Sequence, residues 1–362
     1  MMNAASAPRT PSQVRIIGYG CSTSAGPTTL DFWNHLCEGQ RIQSGLWPHS
    51  TLSIKDQIIK NLCLSWKQIH IELGARVGVI FASTKGCIED YIWNPTPPLP
   101  SQNPYTEILS GWIKQVGIVP KLSLCMSNAC SSALVALNLG SQWVQQDRVD
   151  QVIVLTSDKI GRFASRGFES LHALTPTYPK PFSAERDGLA LGDAAAVIVL
   201  GKTAGFRLKG IGIDTEGFAV TRPSPSGASL KRAYERMTSL TDGVVFQPPS
   251  LIIAHGTGTP LNDATEDQTF ESLFPQQRIP ITATKWCIGH TLGASGALDL
   301  IAACESLLHQ RVFSIATTKS ADPQFQGHYL VNEAPLPANN LESVLISSLG
   351  FGGIHAVAEV AR

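Results

Sequence analysis

Two helical stretches of this sequence have no wet face. Cys130 to Gln146 (CSSALVALNLGSQWVQQ) and Ser295 to Gln310 (SGALDLIAACESLLHQ) are small and apolar around most of their circumference near their starts. A helix without a polar stripe has to be covered on several sides. Each stretch follows a strand-like run and holds a comparable place in its half of the chain. The pattern predicts two similar halves, 1–205 and 206–362, joined near residues 201–206, with the paired helices sandwiched between two sheets. The expected fold class is therefore α/β, layered and internally duplicated. Short apolar runs rich in β-branched residues supply the strands: Val14–Tyr19, Arg76–Ala82, Lys121–Met126, Gln151–Leu155 and Ala194–Leu200 in the first half. Phe206–Ile213, Ser250–Ala254, Ile279–Ala283, Ser343–Ser347 and His355–Val360 supply them in the second. All ten read as buried strands. Pro95–Pro104 and Thr221–Gly227, rich in Pro, Gly and Ser, read as loops.

Composition narrows the function classes. The 362 residues allow two or three domains or one large α/β body. Lys+Arg and Asp+Glu both number 28, so no broad field draws nucleic acid or an anionic membrane, and neither is an expected partner. Charged residues make up 15% of the chain, against about 25% in an average globular protein, which predicts surface covered by another subunit. The absence of an 18-residue apolar run, and of a basic segment followed by an apolar one at the start, predicts no membrane span, no secretory signal and a cytoplasmic location. Eight cysteines lie scattered without a CxxC pair, which disfavours zinc and disulfides, so no metal is expected.

One of those cysteines is placed for chemistry. Cys130 follows the strand-like KLSLCM through the turn SNA and opens the first interior helix. Unpaired N–H groups and the dipole at a helix start favour an anion, so the thiol is expected to ionise more readily than at its free value of about 8.5 and to serve as a nucleophile. The competing reading is a small buried hydrophobe. His255 stands in AHGTGTPLND directly after the strand SLIIA, and His290 stands in TKWCIGHTLGASG, with Lys285 five residues upstream. Isolated histidines are more often structural, but two beside glycines at strand ends are positioned as α/β sites are. In SSLGFGGIHA, Gly350, Gly352 and Gly353 bracket Phe351 between two strands. That is either a plain hairpin turn or a tight turn aiming an N–H at an oxyanion. Neither GxGxxG nor GxxxxGK[ST] occurs in a strand-to-helix setting, so no nucleotide cofactor is expected.

Five segments taken together, NACSSA (128–133), PFSAERDGLALGDAAAVIVL (181–200), HGTGTPLNDATE (255–266), TKWCIGHTLGASGA (284–297) and GFGG (350–353), resemble the elongating β-ketoacyl synthases. They fall in that family's order, and the likeness runs from about Val14 to the C-terminus. The resemblance implies the thiolase fold, layered αβαβα, and decarboxylative Claisen condensation on acyl carrier protein. It also implies a homodimer, or a heterodimer with a related ketosynthase subunit. No cofactor is implied beyond the carrier's phosphopantetheine arm, on which the substrates ride. Position by position, Cys130 is similar to the nucleophile, and His255 and His290 to the two histidines that assist decarboxylation and stabilise the enolate. Lys285 stands as the lysine behind the second histidine, and Glu266 as the carboxylate that accompanies it. Phe351 stands as the gate whose N–H joins that of Cys130 in the oxyanion hole, flanked by Gly350 and Gly352. Thr257 and Thr259 stand as the threonines that meet the phosphopantetheine arm.

The sequence departs from the family pattern at several points. Trp286 follows the lysine where a small residue is common, and His355 stands where Asn is usual. Between Phe32 and Ala82, and between Thr84 and Lys121, the chain is shorter than in fatty-acid elongating enzymes. This shortening, with GFESLHALTP (167–176), resembles the compact synthases of aryl-polyene-type pigment clusters. Two alternatives stand beside condensation: a chain-length-factor-like subunit that shapes a partner's tunnel, and an acyltransferase that delivers the acyl group without condensing. Lys60, Lys67, Arg162 and Arg166 are candidate carrier-docking charges.

Overall fold

The computed structural model describes residues 14–92, 103–239, 246–331, 336–337 and 340–362. Ten strands of four residues or more run through the described residues, in the ten segments expected. In the first half they are β1 (Arg15–Thr23), β2 (Val77–Ala82), β3 (Leu122–Met126), β4 (Gln151–Asp158) and β5 (Ala194–Gly201). In the second half they are β6 (Phe206–Thr215), β7 (Leu251–Ala254), β8 (Pro280–Ala283), β9 (Ser343–Gly350) and β10 (Ile354–Ala361). Helices of nine residues or more are α1 (Thr29–Cys37), α2 (Ile54–Trp66), α3 (Pro104–Val116), α4 (Ser132–Gln145) and α5 (Arg162–Ser170), followed by α6 (Ala228–Ser239), α7 (Pro260–Leu273) and α8 (Ser295–His309). None is long and apolar enough to cross a membrane. Most of the expected Pro95–Pro104 loop lies outside the described residues; Pro104 itself is the first residue of α3, capped by the Asn103 side chain.

The two halves repeat one topology. In the first, β1 pairs antiparallel with β5, β5 antiparallel with β4, β4 parallel with β2, and β2 parallel with β3. In the second, β6, β10, β9, β7 and β8 follow the same sequence of senses. The expectation of two separate sheets needs one correction. Arg15 pairs with Arg207 and Ile16 with Phe206, so β1 joins β6 edge to edge. Together with the short strand His328–Tyr329 on β8, hydrogen bonding is continuous over eleven strands.

Burial follows the period-2 geometry of strands. Ile80, Ala82, Val152, Val154, Ile198 and Leu200 point into a core shared with α4, α8 and the second half. Their neighbours Val79, Phe81, Ile153, Leu155, Val197 and Val199 point the other way, into a separate core closed by α2 and α3 around Trp112. A sheet covered on both faces needs no alternation of polar residues, which is why β4 and β5 read as continuous apolar runs. α4 packs against β2, β4 and β5 and also against β6 and β10, while α8 packs against β9 and β10 and also against β1 and β5. The two helices touch each other, and α6 lies on the outer face of β6 and β10, in contact with α7. The layers are therefore αβαβα with α4 and α8 in the middle. Small residues permit the contact: a Cβ on Gly296 of α8 would meet the Leu134 side chain of α4 at 3.0 Å.

Candidate active site

The turn between β3 and α4 presents Cys130. Ala129 holds a φ of +49°, a left-handed conformation unfavourable for a residue with a Cβ. Ser132 holds the turn by accepting the Asn128 N–H at 2.8 Å and donating to the Ala129 carbonyl at 2.6 Å. The second half reaches across to the same turn. Ser348 on β9 donates to the Cys130 carbonyl at 3.1 Å, and the Ser131 hydroxyl donates to the Ile354 carbonyl at 2.9 Å. The β9–β10 hairpin is thereby pinned against the thiol.

His290 arrives after β8 and a single helical turn, Lys285–Ile288. Its Nε2 lies 3.1 Å from Cys130 Sγ. His255, directly after β7, sets its ring edge-on to that of His290, with centroids 5.1 Å apart at 88°. The Phe351 backbone N–H and that of Cys130 itself both bond to the sulfur. Residues 130, 255, 290 and 351, spread over most of the chain, thus share one site. It opens into a cavity of about 330 Å³ that Thr257, Thr259 and His355 also line. The Thr257 and Thr259 hydroxyls bond each other at 2.9 Å. The Phe351 ring stacks on Phe168 of α5, centroids 5.5 Å apart.

The electrostatics correct one expectation. Burial pushes the Cys130 thiol up to about 11, and the Phe351 N–H and the Lys285 charge pull it back only in part. The helix start does not win, because α4 begins two residues later, at Ser132, and the sulfur is 4% exposed with its residue. Burial, reinforced by Lys285, holds both His290 and His255 well below the ordinary imidazole value. The resting set is therefore a thiol beside two neutral imidazoles.

A second correction concerns the carboxylates. The Lys285 ammonium pairs with Asp299 on α8 at 3.0 Å, not with Glu266. Glu266 instead accepts the His255 and Gly256 N–H groups at 2.8 Å each, the Ser347 hydroxyl at 2.6 Å and the Asn262 amide at 3.0 Å. It braces the loop that carries His255. Sequence reasoning passed over Asp299, although an acid in the second turn of an enclosed helix has to find a buried partner. A third correction concerns Gly352: its N–H donates to the Val220 carbonyl at 2.7 Å, which leaves Phe351 as the turn's donor to the site. Gly353 is required by space, since a Cβ there would sit 2.2 Å from the Glu216 carbonyl oxygen at a φ of +77°.

Comparison with known proteins follows this geometry. Residues 95–204 match the N-terminal domain of β-ketoacyl synthases and residues 206–318 match the C-terminal domain. The tetracenomycin polyketide synthase ketoacyl synthase alpha subunit of Streptomyces glaucescens is 29% identical over 257 residues, 66% of this chain and 59% of that one. The 3-oxoacyl-[acyl-carrier-protein] synthase 2 of Staphylococcus aureus is 28% identical over 248 residues, 63% of this chain and 59% of that one. The chain thus spans 59% of the length of each of these relatives. Among solved structures, one chain of a complex between a type II polyketide synthase acyl carrier protein and its ketosynthase superposes with a TM-score of 0.84 at 20% identity, over 98% of this chain and 100% of that one. One chain of the complex between a ketosynthase and its chain length factor from Xenorhabdus doucetiae gives 0.81 at 22% identity, over 99% of both chains. These likenesses establish the thiolase fold. With one domain model ending at residue 204 and the next beginning at 206, and with the matched stretch carrying Cys130, His255 and His290, this chain belongs to the β-ketoacyl synthase family.

Proposed function

We propose that this protein is a condensing enzyme that stores an acyl or polyenoyl chain on Cys130 and extends it by two carbons from malonyl carrier protein. The observation that carries this reading is Cys130 Sγ held 3.1 Å from His290 Nε2 while the Phe351 N–H meets the same sulfur. In the first half-reaction the sulfur attacks the carrier thioester, and its proton passes to His290 Nε2 and on to the departing carrier thiol. The two backbone N–H groups take up the developing oxyanion. In the second, the malonyl carbon–carboxylate bond breaks, the enolate oxygen receives hydrogen bonds from the two neutral imidazoles, and the carbanion attacks the stored acyl carbon. The carbon–sulfur bond to Cys130 then breaks, the carboxylate having left as carbon dioxide, and the departing thiolate takes up a proton from solvent. Burial and the Lys285 charge keep the imidazoles neutral, Asp299 anchors Lys285, Glu266 positions His255, and Thr257 and Thr259 line the approach of the phosphopantetheine arm. The carrier's arm is the only prosthetic group this chemistry requires. On this reading residues 1–205 carry the nucleophile and residues 206–362 the histidines.

Partners follow from surface features. β3 is an edge strand with Leu124 40% exposed, and an unpaired apolar edge is a template for another chain. A second copy, or a related subunit of the ketosynthase and chain-length-factor kind, would cover it. Arg162 and Arg166 lie on α5, the helix whose Phe168 lines the cavity, and Arg222 lines it too. That favours this side for an acidic carrier protein over Lys60 and Lys67, since α2 and the residue following it contribute nothing to the lining. Eight free cysteines fit a reducing, cytoplasmic setting.

The test is intact-mass analysis after incubation with a panel of acylated carrier proteins, followed by malonyl carrier protein and measurement of released carbon dioxide. Wild type gains the acyl mass and then releases it as an extended product. Cys130→Ala gains none, and undiminished acylation of that variant would refute the assignment. His290→Ala still reaches the acyl-enzyme, but more slowly for want of the group that takes the thiol proton, and it loses at least about 10²-fold in condensation, the usual cost of one oxyanion donor.

A further inference from the structure

The far side of His290 is as ordered as the side that meets the thiol. Nδ1 lies 2.8 Å from Ser295 Oγ. Ser295 is 3% exposed, and its oxygen also accepts the Thr291 N–H at 3.1 Å and lies 3.1 Å from Thr291 Oγ1. Thr291 is equally buried. A serine hydroxyl has one proton and two lone pairs, and here it has three neighbours to satisfy.

Two proton arrangements satisfy all of them. When Nδ1 carries the imidazole proton, Ser295 Oγ accepts from Nδ1–H and from the Thr291 N–H and donates to Thr291 Oγ1. Nε2 then turns a lone pair to the Cys130 thiol. When Nε2 carries the proton, Ser295 donates to Nδ1 and accepts from the Thr291 N–H and the Thr291 hydroxyl. Nε2–H then faces the sulfur side as a donor. A buried polar group without a partner is costly, and neither arrangement leaves one.

We infer that the Ser295–Thr291 hydroxyl pair is a two-way positioning device that aims the His290 ring at Cys130 and supports both of its neutral tautomers. One tautomer accepts the thiol proton during acylation; the other donates to the enolate oxygen during condensation. The assignment of the tautomers to these two steps rests on the proposed condensing function, whereas the device itself rests on the hydrogen-bond geometry. Ser295 is a positioning residue, since it acts on the sulfur only through His290.

Nitrogen-15 spectra of the histidine side chains test the device without any carrier protein. In wild type the two His290 nitrogens give averaged signals from both tautomers. Ser295→Ala removes the partner of Nδ1 and collapses the average toward a single tautomer; Ser295→Thr, which keeps the hydroxyl, restores it. Thr291→Val leaves the Ser295 proton no acceptor but Nδ1, so the signals move toward the Nε2–H form. Thr291→Val also decides the matter should Ser295→Ala fold poorly. Wild-type signals in either folded variant would overturn the inference. In the condensation assay Ser295→Ala lowers kcat about tenfold, part of the usual contribution of a positioned acid–base, with KM for malonyl carrier protein unchanged. Absence of condensation in wild type would sink the proposed function and leave the nitrogen-15 result to judge the device.

Discussion

Cys130 and Asp299 show how a site residue's behaviour follows from its surroundings more than from its own chemistry. Burial raises the Cys130 thiol to about 11 despite two N–H groups and a nearby ammonium. A thiol loses its proton only as the pH approaches its pKa, so the reactive thiolate fraction keeps growing across the neutral and mildly alkaline range. Alkylation of Cys130 by iodoacetamide should therefore accelerate about tenfold per pH unit from about pH 7 to 10, followed by mass spectrometry. A plateau near the free-cysteine value would contradict the burial argument. Burial likewise pushes the Asp299 carboxyl up, while Lys285 and the Thr284 hydroxyl pull it down. Both members of the ion pair are almost wholly enclosed. Asp299→Ala leaves the ammonium uncompensated and should lower unfolding free energy by about 3–5 kcal/mol, read from urea denaturation. Cys130 and both histidines were legible as members of one candidate site because each stands beside a turn after a strand. Asp299 and Ser295 were not, because inside a helix nothing local says which side chain they will face.

The strands and the two interior helices follow from pattern, and their ends follow from capping and from tertiary contact. All ten expected strands form, several one to three residues longer than the apolar run, because the continuation pairs with a neighbour even where it is polar. β4 runs on through Thr156, Ser157 and Asp158, which pair with Ala196, Ala195 and Ala194 of β5. The buried Asp158 then accepts the Ser83 and Thr84 hydroxyls and the Gly293 N–H, tying β2 to the segment after His290. Close packing sets the sharpest element-scale demands. A Cβ on Gly212 of β6 would lie 1.9 Å from the Ala233 carbonyl oxygen of α6. Backbone cannot move aside as a flexible side chain does, so Gly212→Ala should displace α6 and cost at least about 1–3 kcal/mol. Chemical denaturation measures it, and an unchanged midpoint would show that α6 shifts freely.

At the scale of the whole molecule, the duplicated halves meet along β1 and β6 and around α4 and α8, and among the described residues no strand pairs with the far edge of β3. Leu124→Asp places a charge on that edge. On the proposed reading wild type sediments as a dimer and the variant as a monomer, with its acylation chemistry retained if each site is complete within one chain. Sedimentation velocity reads the first and intact mass the second; a variant that remains dimeric would place the interface elsewhere. By itself the sequence determined the strand set, the two enclosed helices, the duplication and the identity of the thiol and imidazoles, because periodicity and turn chemistry are local properties. Only the tertiary structure decided that the sheet runs unbroken through β1 and β6, that Lys285 pairs with Asp299 while Glu266 braces the His255 loop, and that the thiol is harder to ionise rather than easier. Each of these depends on distance through space and on exclusion of water, which chain order does not encode residue by residue.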